Sequence, residues 1–86
     1  MKLATEAITN ANAAQIVEQG RAAMAGGDFV IDFSAVVRCD TSAVACVLDW
    51  LRGAHAARRR LELVALPEDL LSLARLYNVE ALITSR

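Results

Sequence analysis

The stretch Phe29-Val-Ile-Asp-Phe-Ser-Ala-Val-Val-Arg-Cys-Asp-Thr-Ser-Ala-Val44 decides how this chain folds. Its first residues, Phe29 to Phe33, are β-prone and predict a strand covered on both faces, as in a parallel sheet. A short loop follows and ends in Asp40-Thr41-Ser42, where an apolar-faced helix begins at once. Two hydroxyls therefore stand at a helix N-terminus, where backbone N–H groups are unpaired and the local field is positive. Such a place can cap the helix, dock an acidic partner or hold a phosphoryl group.

On the C-terminal side of this stretch the helix is predicted from about Ser42 to Ala57. Val44, Val47, Leu48, Leu51 and Ala54 form its apolar stripe. The opposite face carries Cys46, Asp49 and Gly53, with Trp50 on its flank. Trp50 has two readings: a docking anchor on an outward face, or a side chain packed on a neighbouring segment. Leu61 to Ala65 predicts the next strand. Leu66-Pro67-Glu68-Asp69 opens a further helix, with proline in the first turn and acids at its positive end. Leu70, Leu73, Ala74 and Tyr77 are its expected inner face, and Asn78 can end it in a left-handed conformation. Val79, Leu82 and Ile83 predict a last short piece packing back on the core.

On the N-terminal side, Lys2 to Thr9 can form a strand anchored by Leu3 and Ile8. Asn10 or Asn12 is placed to cap a first helix, in which Ala13, Ile16, Gly20, Ala23 and Met24 recur at helical spacing. Gly26-Gly27 stops that helix. Strand, helix, strand, helix, strand, helix is the pattern of an α/β domain. The expectation is one domain over residues 1–86, with helices packed on a mixed, mostly parallel sheet.

The 86 residues include 56% hydrophobic side chains, but much of that share is alanine, which favours helix and fills little core. The longest apolar run, Ala43 to Leu48, is far too short to span a bilayer. Met1-Lys-Leu-Ala-Thr-Glu6 lacks the apolar block of a signal peptide, which predicts a cytoplasmic protein without direct membrane insertion. Nine basic and ten acidic side chains give a net charge of −1, with no broad positive field for nucleic acid. Arg58-Arg59-Arg60 is the one basic cluster. It reads as a solvated helix end or as a contact to an acidic partner or anionic lipid headgroups.

No phosphate-cradling glycine motif occurs, and Gly26-Gly27 precedes a strand instead of following one. His55, the only histidine, lies on the order of 20 Å along the helix from Thr41 and cannot serve it as a base. It is expected on the inward side. Cys39, in the loop, and Cys46 are too few ligands for zinc with His55 alone, and both are expected reduced. Asp32 and Asp40 flank the loop after the central strand, where capping is the expected role and metal binding is not. Neither a cofactor nor independent catalysis is expected.

Asp32-Phe-Ser34 followed by Val37-Arg-Cys-Asp40-Thr-Ser-Ala-Val44 resembles the signature of STAS domains (sulfate transporter and anti-sigma factor antagonist). The family pattern runs Asp-Leu-Ser, then Asp-Ser/Thr-Ser/Gly-Gly-Leu, then a long helix, and the similarity extends over nearly the whole chain. Ala43 and Val44 stand where the family has glycine and leucine, and the N-terminal part is shorter than usual. Leu73-Ala-Arg-Leu-Tyr-Asn-Val79 resembles the closing helix of MlaB-type subunits of bacterial phospholipid ABC transporters. That resemblance implies a non-enzymatic subunit that binds an MlaF-like cytoplasmic ATPase and its permease, peripheral to the inner membrane. It makes Thr41 the residue that matters, with Asp40, Ser42, Ala45, Asp49 and Trp50 as the expected partner-binding surface. The anti-sigma antagonist branch implies instead phosphorylation by an anti-sigma factor kinase at Ser42, with Thr41 as the other candidate hydroxyl. Both hydroxyls are present, so the motif leaves the two branches open.

Overall fold

The computed structural model describes residues 1–84. Elements follow in the order β1 (Ala7–Ile8), α1 (Ala13–Ala25), β2 (Val30–Asp32), β3 (Arg38–Cys39), α2 (Thr41–Ala56), β4 (Glu62–Val64), α3 (Glu68–Leu76) and α4 (Glu80–Thr84). β1 pairs with β3 and β2 with β4, both in parallel. The N-terminal segment joins the two pairs. Lys2 bridges Asp32 in parallel, the Leu3 N–H donates to the Asp32 carbonyl at 3.0 Å, and the Asp32 N–H donates to the Met1 carbonyl at 2.8 Å. The order across the sheet is thus β3, the N-terminal segment with β1, β2, β4. The expected α/β architecture is present, with every strand pairing parallel.

Three local expectations change. The segment from Lys2 to Thr9 is broken, one end beside β2 and the other beside β3. Cys39, expected in a loop, lies in β3. The central strand is covered on one face only: Ile31 and Phe33 are fully buried while Val30 is 40% exposed. Its apolar run predicts cover on both faces, but the core packs against the Ile31 face and leaves the Val30 face open.

α1 buries Ile16, Gly20 and Met24 at i, i+4 and i+8. Asn12 occupies its N-cap position without capping it. The side chain instead bridges the preceding turn, accepting from the Thr9 N–H and donating to the Ala7 carbonyl, each at 2.9 Å. Gly27, at φ 93°, supplies the left-handed residue that ends the helix. α3 buries Leu70 and Ala74, and Asn78 is left-handed at φ 59°, as its sequence predicts. Tyr77, expected inward, is 53% exposed. It stands at the C-cap, where the chain turns away, and Ile83 of α4 fills the core instead. Arg75 ties the two helices together through Glu68 at 3.2 Å and Glu80 at 2.8 Å.

The core runs through Leu3, Ile8, Ile31, Phe33, Val47, Trp50 and Leu70, all fully buried. α2 is its axis, and it is buried on two sides. Ala43, Val44, Cys46, Val47, Trp50 and Ala54 are inside, whereas Leu48 and Leu51 of the expected stripe are half-buried and His55 is exposed. The cause is α1, which covers the Cys46 and Trp50 side of α2. Gly20 lets the two helices approach: a Cβ there would lie 2.3 Å from Trp50 Nε1. The indole N–H donates to the Val17 carbonyl at 3.0 Å, and the Cys46 thiol meets the Ala13 carbonyl at 3.6 Å. The Phe33 and Trp50 rings pack tilted at 59°, with centroids 6.3 Å apart.

Candidate docking site

The β1–β3 ladder places the start of α2. After Ala7 pairs with Arg38 and Ile8 with Cys39, the Asp40 N–H donates to the Ile8 carbonyl at 3.1 Å, and the helix begins at the next residue. Asp40 is the N-cap. Its backbone is extended, and its Oδ1 accepts from the Ser42 N–H at 2.8 Å. The Ser42 hydroxyl donates to the same oxygen. The other carboxylate oxygen accepts from the Asn10 N–H at 3.0 Å, which fastens the β1–α1 turn to the α2 N-terminus. The Ser42 hydroxyl and N–H, with the Asn10 N–H behind them, hold the Asp40 carboxyl below its ordinary pKa.

This assigns the two hydroxyls different work. Thr41 is the first residue of the helix and does not cap it. The cap needs a side chain outside the helix, reaching back to the second or third N–H, and Asp40 has that position. Thr41 is exposed, and its hydroxyl makes no hydrogen bond to the described residues. Ser42 is half-buried with its hydroxyl engaged. Thr41, Ala45, Leu48 and Arg52 follow the i, i+4, i+7, i+11 spacing of one helix face. Thr41, Ala45 and Arg52 are exposed and Leu48 is half-buried.

Asp49 borders this face. Its carboxylate takes both ends of the Arg21 guanidinium, Nε to Oδ2 at 2.9 Å and Nη2 to Oδ1 at 2.7 Å. That fork lowers the Asp49 pKa and raises that of Arg21. Glu18 adds a second contact to Arg21 at 2.6 Å. Trp50 does not belong to the surface. It is 0% exposed, locked against Gly20 and Phe33, and its expected role as an outward anchor is corrected to that of the core's largest side chain.

Asp40, Thr41, Ser42 and Ala45 are therefore brought together at one helix end, and Asp49 lies two turns further along. Arg21 escaped the sequence reading because its partner is 28 residues away, beyond any local spacing rule. Gly20 did carry a signal, a glycine inside a helical pattern, which points to close packing when nothing else explains it.

Asp32 also serves its own loop: Oδ1 accepts from the Ser34 N–H at 2.8 Å, which lowers its pKa. Among the described residues no group of three His, Cys, Asp or Glu side chains is placed to hold a metal ion. Likewise no described helix is long and apolar enough to cross a membrane. Cys39 and Cys46 are both free thiols.

None of the curated proteins compared with the chain matches it. The family model described as MlaB, STAS domain matches residues 3–84, spanning β1 to α4 and the whole Asp40-Thr41-Ser42 site. The chain belongs to the MlaB-type STAS domain family.

Proposed function

We propose that this protein is an accessory subunit that docks on the cytoplasmic ATPase of a phospholipid ABC transporter through the N-terminal half of α2, with Thr41 at the centre of the contact. Family membership supports a non-catalytic regulatory or accessory role in general. The observation that carries the finer reading is the division between the hydroxyls. Thr41 is exposed and unengaged, whereas Ser42 is half-buried and held by the capping carboxylate.

A partner that approaches α2 end-on meets Thr41 first, then Ala45, whose small side chain allows a close backbone approach. Asp40 and Asp49 flank this path. Asp40 orders the loop and Asp49 is already oriented by Arg21, so little side-chain entropy remains to be lost there on binding. An ATPase surface that offers a hydrogen-bond partner to Thr41 and basic groups to the flanking carboxylates fits this arrangement. The subunit acts by presence: docking supports assembly and activity of the transporter.

Co-purification of the ATPase with Thr41→Ala tests the reading. An exposed side chain without bonds changes stability by only about 0.5 kcal/mol on removal, so the melting curve should stay in place while ATPase binding is lost. Wild-type binding by Thr41→Ala would refute the docking role. Intact mass of protein isolated from cells tests the rival branch. A phosphorylated Ser42 species would replace the transporter reading with that of an anti-sigma antagonist switched by charge.

A further inference from the structure

At the other end of α2 lies a groove whose floor the Thr41 site does not use. It occupies about 610 Å3 between the C-terminal halves of α1 and α2. Its floor is apolar, built from Met24, Phe29, Ala56 and the bare backbone of Gly53. A Cβ on Gly53 would meet only the Met24 methyl, at 3.4 Å. One wall is the Arg21–Asp49 fork, whose charges are mutually satisfied.

The rim is different. Arg52 is exposed and forms no salt bridge with the described residues, although its charge also acts on Asp49. Arg59 arrives from beyond the helix. α2 ends at Ala56, Arg58 turns the chain at φ 56°, and the Arg59 guanidinium comes to rest 4.4 Å from the centre of the Phe29 ring. Arg59 too has no acidic partner among the described residues. The basic cluster is thus not merely a solvated helix end, since one of its members stacks on Phe29, a residue that lines the groove.

We propose that this groove receives an acidic, amphipathic segment of a partner protein, with an apolar side chain seated on Met24 and Phe29 and carboxylates paired to Arg52 and Arg59. Two guanidiniums held in no salt bridge among the described residues, Arg52 near Asp49 and Arg59 over Phe29, stand beside an apolar floor and are complementary to that chemistry, and the local positive charge stands out in a chain of net charge −1. A bilayer is a broad surface and cannot enter a concave floor between two helices. A free inorganic anion has no use for the apolar floor. The groove floor is centred roughly 18 Å along α2 from Thr41, so it lies outside the Thr41 contact, and Asp49 stands on the border between the two.

The experiment is an amide NMR titration of the whole chain with a synthetic helical peptide of about 15 residues. Leucine and glutamate lie on its one face, and a matched peptide has lysine for glutamate. The expected result is shifts at Met24, Gly53 and Ala56 with the glutamate peptide and none with the lysine peptide. Arg52→Glu combined with Arg59→Glu should weaken binding about tenfold. Gly53→Leu, which fills the floor and leaves every charge in place, should abolish it. Absence of shifts at Met24 and Gly53, equal binding of both peptides, or insensitivity to either variant would overturn the proposal. So would binding to vesicles of phosphatidylcholine and phosphatidylglycerol in place of the peptide.

Discussion

Replacing Gly20 by alanine tests whether the α1–α2 contact is the keystone of this core. Alanine ought to help a helix, since glycine costs about 1 kcal/mol in a helix interior. Here the added Cβ would stand 2.3 Å from Trp50 Nε1 and 2.4 Å from Cε2. Ordinary contact is about 3.5–4.0 Å, so the indole must retreat by roughly 1.2–1.7 Å. It has nowhere to go, being 0% exposed with Phe33 packed against it. Overpacking of this kind costs about 1–3 kcal/mol. A displaced indole also loses the Val17 carbonyl, and a buried donor left unpaired costs about 1–3 kcal/mol more. After the propensity gain the net loss is about 1–5 kcal/mol, centred near 3, and that central value corresponds to about 12–24 °C in melting temperature for a domain of this size. Gly53→Ala is the control in the neighbouring helix. Its Cβ meets only the flexible end of Met24 at 3.4 Å, so the same substitution should gain up to about 1 kcal/mol. Urea unfolding followed by emission of the one tryptophan, together with circular dichroism, measures both variants. A Gly20→Ala variant as stable as the parent, or two variants shifted in the same direction, would refute the reasoning.

Two other predictions concern ionisation. Asp40 and Asp49 both have lowered pKa values, from the Ser42 and Arg21 hydrogen bonds respectively. A carboxyl depressed on folding contributes stability above its unfolded value, and that contribution is lost as pH falls through the folded one. Melting temperature should therefore be flat from neutral pH to about 5 and fall below about pH 4. Asp49→Asn should flatten that acid limb, and an unchanged limb would show that the Arg21 fork adds nothing. Burial, with Asp69 and Asp40 nearby, pushes the Cys39 thiol up from 9.0 to about 11. At pH 8 its thiolate fraction is then about a hundredfold lower than that of an unperturbed thiol. Iodoacetamide should label Cys39 slowly in the folded protein and rapidly in urea. Equal rates in both states would contradict the burial.

What the sequence determined by itself was the order of the elements and the start of α2 at Asp40-Thr41-Ser42. Its glycine and asparagine stops, the helical spacing of Ile16, Gly20 and Met24, and Asp40-Thr41-Ser42 ahead of an apolar helix are local patterns, and local backbone physics answers them directly. Hence α1, α2, β4 and α3 lie close to where they were expected. The tertiary structure alone decided which face of each element is inside. One-sided cover made Val30 a surface residue of an apolar strand. α1 converted Cys46 and Trp50 from a second face into core, through a glycine that adds no hydrophobic signal of its own. The same packing paired Arg21 with Asp49 across 28 residues and opened the groove beside them. Which of two adjacent hydroxyls is free likewise depended on Asp40 being held by Ile8 and Asn10. Burial and pairing are properties of what a segment packs against, and no spacing along the chain specifies a neighbour that arrives from elsewhere.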